Sequence, residues 1–430
     1  MASWKRIALA VSLFLFFLST ARAQSVHHDS ADEAPLAPRH ELISRSTRSL
    51  CGTNGTYPAG WVSSTGWRSS FEVLWSCLAT LFACSCSILR LNVPGRGESE
   101  IHSLWRKVKW MVITVIFPEL IAIIAITEFF IARETRDSLK RLGINWTLTH
   151  SFFANMGGFV LESEGLERFP VDARMIEMLI KADVLAHPEI DIREIQDKSK
   201  RDSFARLFAG SQVLWVVVQC IARRVQELPV TPLEFLTAEF VLLSMFTYLF
   251  EWCKPDGVCV PIVLRAYGRL DDDLVNQLRS KFNQSYNKEF TTVNDIKRIP
   301  FGPAFRTFFV SQEKATNSWQ SWAVYMLVCC GTGAFNGIRT AVRHQLMPPV
   351  AWTVWRISIL ISVVVPFVGC VYVCIKMMPR LAQIVLCSIV GFLYFLSRVG
   401  PLAIALGWSW QSQPASSYYV VQWTEIWPHF

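Results

Sequence analysis

The stretch WTLTHSFFANMGGFV, Trp146 to Val160, decides how this chain is threaded. It is too apolar for a solvated loop, yet a turn or two short of the ~20 residues that a bilayer-crossing helix requires. If it spanned, every later helix would reverse. Arg223-Arg224 and Arg339 with Arg343 would then face the lumen, against the basic bias of short cytosolic loops. If it does not span, the basic stretches RLNVPGRGESEIHSLWRKVK (Arg90 to Lys109), Arg223-Arg224 and RTAVRH (Arg339 to His344) all face the cytosol. The glycosylation acceptor patterns at Asn54, Asn145 and Asn283 then share the lumenal side. The expectation is a re-entrant or interfacial helix on the lumenal face. Gly157-Gly158 agrees with it: each glycine weakens a free-standing helix by roughly 1 kcal/mol, but lets backbone pack closely. Such backbone survives at membrane depth only under a protein cover.

The membrane itself is read from composition. Of 430 residues 52% are hydrophobic and only 18% charged, with 17 Trp and 29 Phe, where soluble chains carry about 25% charge. At the N-terminus Lys5 and Arg6 precede an apolar run, Ile7 to Ser19, and Ala21-Arg22-Ala23 precedes Gln24. That is the pattern of a cleaved signal peptide, residues 1–23, and the apolar run is short for spanning. It sets the mature N-terminus in the lumen or outside the cell. The formal charge of +8 is scattered without a basic run, so no nucleic-acid footprint is indicated.

Residues 24–70 read as a polar, disordered leader. The predicted spans are Phe71 to Leu91, Trp110 to Ile131, Phe208 to Ile221, Leu233 to Trp252, Trp319 to Ile338, Val354 to Met377 and Leu381 to Leu396. The expected fold is an all-α, polytopic transmembrane bundle of about seven spans over residues 71–410, followed by a short tail, 411–430. Two amphipathic insertions, 161–206 and 254–318, read as caps lying on the membrane. In the second, Leu270, Leu274, Val275, Leu278 and Phe282 share one helical face. No internal repeat supports an inverted-repeat transporter. Most cysteines sit in apolar runs as small hydrophobes. Cys253 and Cys259 bracket KPDGV and are a candidate disulfide if that loop is lumenal.

The phrases FEVLWSCLATLFACSCSILRLNVPG, PEL, WTLTHSFFANMGGFVL, EIQDKSK, QCIAR, LPVTPLEFLTAEF and the terminal IWPHF together resemble a large group of multi-pass proteins in filamentous fungi. The resemblance runs from about Trp67 to the C-terminus. It implies fungal origin and membrane character, and brings no catalytic residue to any position.

Candidate chemistry rests on buried charge. Glu119, after Pro118, falls near the middle of its predicted span, where a carboxylate costs several kcal/mol unless neutralised, paired or hydrated. Glu239 is a second buried acid, while Glu234, nearer a helix end, is expected to snorkel. Arg398 is either the counter-ion of Glu239 or a headgroup arginine. His150 either faces the same cavity or is a hydrogen-bonded anchor. Asp191, Glu194 and Asp197, at three-residue spacing, are candidate metal ligands or an ion-paired surface. Asp271 to Asp273 read as helix-capping acids, and Trp319, Trp322, Trp352, Trp355, Trp408 and Trp410 as an interfacial belt.

Three functions fit these features. In the first, an intramembrane enzyme acts on a lipid-like or isoprenoid substrate, with Glu119 and Glu239 as proton donors. In the second, the same acids bind a proton or cation in a carrier or channel. The third is a seven-helix receptor. The bilayer is the expected partner, an endoplasmic reticulum or plasma membrane the expected location. No particular cofactor is indicated.

Overall fold

A computed structural model describes residues 61–62, 68–94, 99–164, 166–186, 190–198, 203–286, 331, 333, 336–337, 339–340, 342, 347–374, 380–407, 410, 413 and 415–421. The chain divides into two units. Unit 1 takes Met1–Cys84, Leu207–Met245 and Met326–Phe430, and unit 2 takes Ser85–Arg206 and Phe246–Tyr325. The signal pattern, Asn54 and most of the predicted span Trp319 to Ile338 lie outside the described residues.

Helix α1 (Ser70–Ile88) starts on a reciprocal cap. The Ser69 hydroxyl accepts the Glu72 amide, and the Glu72 carboxylate accepts the Ser69 amide. Phe71, Trp75, Leu78 and Phe82 form an exposed apolar row along it, as on a helix facing hydrocarbon. Helix α2 (Glu100–Ile116) stops at Phe117, and α3 (Pro118–Arg141) restarts with Pro118 in its first turn. Their axes differ by 107°. Trp110 to Ile131 is therefore not one straight span. Proline has no amide hydrogen and crowds the residue before it, so Phe117 leaves helical geometry (φ −125°, ψ 63°) and the chain turns.

The stretch that opens the sequence problem resolves into a helix, a turn and a strand. Helix α4 (Leu148–Asn155) has eight residues, about 12 Å of rise against a ~30 Å hydrocarbon core. Gly157 then takes φ +79°, and Phe159 enters strand β1 (Phe159–Ser163). An all-α fold was expected; instead β2 (Leu166–Val171) pairs antiparallel with β1, and β3 (Ile262–Arg265) pairs with its other edge in parallel. The insertion expected from residue 161 thus begins as a hairpin. Its strand signal, FVLES and LERFPV, is short and interrupted by Pro170, so the alternation was hidden.

These elements close a core within unit 2. Trp146, Phe153, Phe159, Leu161 and Val171 meet Met175, Ile176 and Leu179 of α5 (Ala173–Lys181). The same cluster takes Ile195 of α6 (Ile192–Lys198), then Leu264, and Val275 and Leu278 of α9 (Asp272–Tyr286). Of the apolar face predicted in the second insertion, Leu270, Val275 and Leu278 are buried and Leu274 is part-buried. Asp172 caps α5 through the Met175 amide at 2.8 Å.

The remaining helices are α7 (Ser203–Val225), α8 (Pro232–Phe250), α10 (Pro349–Cys374) and α11 (Arg380–Leu406). Among the described residues, three helical segments are long and apolar enough to cross a membrane: α1, α8 and Ser388–Leu406 of α11. The bent α2–α3 pair makes a fourth if it counts as one. The protein is mostly helical, and these segments are compatible with a membrane protein. Among the described residues there are three or four candidate spans where about seven were predicted for the whole chain, and α7 is not one of them.

Gly158 has a role that no other residue fills. A Cβ there would lie 2.5 Å from the Phe153 ring, which is fully buried and packs edge-on against Phe159 at 4.8 Å. Gly158→Ala is expected to lower stability by about 1–3 kcal/mol through overpacking, read as a lower melting temperature of the purified protein. Gly210→Ala, in α7 with open space around its Cβ position, is expected to hold or raise it.

Candidate functional site

Unit 1 holds the buried acid Glu239. Helix α8 is started by a Thr231-x-x-Glu234 capping box: the Glu234 carboxylate accepts the Thr231 amide at 2.9 Å and the Thr231 hydroxyl accepts the Glu234 amide at 3.3 Å. Seven residues along, about 10 Å into the helix, Glu239 is 2% exposed. The Arg339 Nε donates to its Oε2 at 2.5 Å, and Arg398 Nη1 stands 3.6 Å from its Oε1. Arg398 is not at a helix end, because α11 continues through Pro401 to Leu406. It lies ten residues into Ser388–Leu406, about 15 Å along, and its side chain is 1% exposed.

The surroundings hold both guanidiniums in place. The Trp355 indole donates to the Arg339 carbonyl at 3.2 Å, and Arg398 lies over the Tyr394 ring at 5.8 Å. Helices α10 and α11 pack closely through small residues: Ser362 and Ser397 share a hydrogen bond at 3.0 Å, and Gly400 sits against Ser358. Sequence reading paired Arg398 with Glu239 as one alternative but set Arg339 in a cytosolic loop. A hundred positions separate Arg339 from its partner, and no local pattern announces such a contact.

Glu234 does not snorkel. It is buried, with Arg68 Nη2 at 2.5 Å from its Oε1. Arg223 beside it donates to the carbonyls of Pro229, Ser417 and Tyr419. The capping box was the signal that places Glu234 at a folded helix start.

Unit 2 contains a second charge cluster. Lys254 Nζ lies 2.6 Å from Glu128 Oε2 and 3.3 Å from Glu251 Oε1, and all three side chains are almost wholly buried. Arg90 donates to the carbonyls of Glu251 and Lys254, capping the end of α8. Burial pulls the Lys254 ammonium down, but Glu128 and Glu251 more than offset it and hold its pKa above the ordinary lysine value. Lys254 sits inside the KPDGV loop, where Cys253 and Cys259 are not joined in a disulfide. The loop is closed by an inward ion pair, not by the disulfide considered from sequence.

The other sequence candidates take structural places. Glu119 is buried, but in the first turn of α3 next to the Phe117 break instead of mid-helix; there the helix dipole favours an acid. His150 takes the place of a hydrogen-bonded anchor. Its Nδ1 accepts the Thr147 amide in a capping box, its Nε2 donates to the Ile190 carbonyl at 2.9 Å, and its ring lies 5.1 Å from Trp146. Glu119 and His150 belong to unit 2 and Glu239 to unit 1. Among the described residues no group of three or more His, Cys, Asp or Glu is placed to hold a metal. Asp191, Glu194 and Asp197 are not gathered into one, and Asp191 accepts the Arg193 amide at the start of α6. Asp272 and Asp273 lie in the first turn of α9, as expected. Asn145 is exposed beside α4, and Asn283 lies on α9.

A family model matches residues 46–318, well over half of the 430. The chain belongs to DUF8562, a family of unknown function. The DUF8562 match takes in Glu239, Lys254, Glu119 and His150, and stops short of Arg339 and Arg398. Neither a curated protein nor a solved structure matches.

Two outcomes follow for unit 2. Lys254→Met leaves two buried carboxylates facing each other without their cation, and is expected to cost about 3–5 kcal/mol. Glu128→Gln, which keeps the Glu251 pair, should lower the melting temperature less. For His150, burial lowers the imidazole below its ordinary 6.5, against the Ile190 carbonyl and Asp191, which pull it up. The folded chain then holds that proton less tightly than the unfolded one. Stability from this group is complete above 6.5 and is lost as pH falls through that value. The melting temperature should therefore drop between about pH 8 and pH 5, and the drop should shrink in His150→Gln.

Proposed function

We propose that this chain is a multi-pass protein of a secretory-system membrane that recognises the anionic head of a lipid-like molecule through Arg339 and Arg398. The observation that carries the reading is the pair of buried guanidiniums on Glu239: Arg339 Nε stands 2.5 Å from one carboxylate oxygen and Arg398 Nη1 3.6 Å from the other. The oxygens of a phosphate or carboxylate head can meet the same two side chains, and arginine presents the planar fork suited to them. The apolar part of such a molecule has a natural place. Helix α10 exposes Val350, Val354, Ile357, Leu360 and Val364, and α11 exposes Val385, Ile389, Phe392 and Leu396. In this reading Glu239 orients the two guanidiniums instead of donating a proton, because each of its oxygens already faces one. The substrate class foreseen for an intramembrane enzyme is retained. The carboxylate is reassigned from acid to binding group.

The test is ligand-dependent thermal stabilisation of the purified full-length protein, comparing phosphatidic acid with phosphatidylcholine. Stabilisation by the anionic lipid alone is expected. Arg398→Gln should weaken it about tenfold or more, the value of one charge-assisted hydrogen bond, while Glu239→Gln should preserve or strengthen it by removing the competing carboxylate. Equal stabilisation of wild type and Arg398→Gln at matched folding would overturn the proposal. Turnover of the bound lipid, followed by mass spectrometry, and flux in liposomes then separate an enzyme from a carrier.

A further inference from the structure

Helix α2 exposes an apolar stripe that no described residue of unit 2 covers. Ile101, Leu104, Trp105, Val108 and Val112 are between 40% and 79% exposed, at the spacing of one helical face. The opposite face is anchored: Trp110 and Thr114 are buried, and Trp110 joins the cluster of Ile88, Ile121, Ile124 and Ile131. At about 100° of rotation per residue, Lys109 lies on one flank of the stripe and Lys107 on the other. Both are exposed, and the helix carries one acid, Glu100, at its start.

Three features distinguish this face from a core surface that has lost its neighbour. Its apolar centre includes an exposed tryptophan, a side chain favoured at the membrane–water boundary. Lysines border it on both sides, where their alkyl stems lie along the apolar surface and their ammonium groups reach headgroups. The axis of α2 turns 107° from that of α3 at Phe117, so the two helices cannot both run along one membrane normal. From this we infer that α2 is an in-plane helix seated on an anionic membrane leaflet, with its apolar stripe in the acyl boundary and Lys107 and Lys109 on acidic headgroups. Nothing in this surface involves Glu239, Arg339 or Arg398.

Hydrogen exchange of the full-length protein, in nanodiscs of phosphatidylcholine alone and of phosphatidylcholine mixed with phosphatidylglycerol, tests the inference. Peptides covering 100–116 should exchange about thirtyfold more slowly in the anionic discs, the effect of two lysines near an acidic surface. Added salt should erase the difference. Lys107→Glu with Lys109→Glu should abolish it while peptides from α8 keep their protection. If that pair of substitutions prevents folding, Lys107→Gln with Lys109→Gln and the salt titration of wild type decide the matter. Equal protection in both lipids, insensitive to salt, would mark a segment held in hydrocarbon and overturn the inference. Protection that rises with protein concentration in detergent would mark a second copy on the stripe, and overturn it equally.

Discussion

A carboxylate removed from water must be met by a cation, and in this chain that requirement organises each unit from within. Desolvating an ion costs several kcal/mol even after relaxation, so a buried acid without its partner is the most expensive defect such a fold can carry. In unit 2 the Lys254 ammonium answers Glu128 from α3 and Glu251 from the end of α8, and Arg90 closes the carbonyls there. The Lys254 side chain ties α3 to the segment after α8, and Arg90 brings in a third piece of sequence. In unit 1 Arg68 answers Glu234 and Arg339 answers Glu239. Around Lys254 two acids meet the ammonium with Arg90 beside them, and Glu239 meets both Arg339 and Arg398.

Chain punctuation supplies the geometry on which these pairs depend. Pro118 ends α2 and begins α3 in the same residue, which turns a run that reads as one apolar helix into two directions. Glu119 thereby moves from the middle of a helix to its first turn, where the amide dipoles accept an acid. Gly157 and Gly158 do the equivalent work between α4 and β1. The first takes the left-handed conformation and the second gives the Phe153 ring room to close on the backbone. The apolarity of residues 146–160 is the signature of a packed core, whose members Trp146, Phe153 and Phe159 are nearly or wholly buried.

Much was legible before any coordinates, and for identifiable reasons. Helical periodicity is local, so the apolar face at Leu270, Val275 and Leu278 and the apolar helices α1 and α8 were legible in it. Cap chemistry is local too: the acids at Asp272 and Asp273 fall where the sequence put them. The β-hairpin was missed because FVLES and LERFPV are too short to establish an alternation, and their third partner, β3, lies about a hundred residues later. For His150 the sequence offered an anchor as one of two readings, and its partner Ile190 lies forty positions away.

The sequence by itself determined the mostly helical character, the segments apolar enough for a bilayer and the residues whose charge demanded an explanation, because each follows from neighbours along the chain. Only the tertiary structure decided which cation answers which acid. Arg339 reaches Glu239 across a hundred positions and Arg398 across more, and nothing near either arginine in sequence records that meeting. Ion pairing depends on distance in space and on exclusion of water, and both are properties of the folded chain.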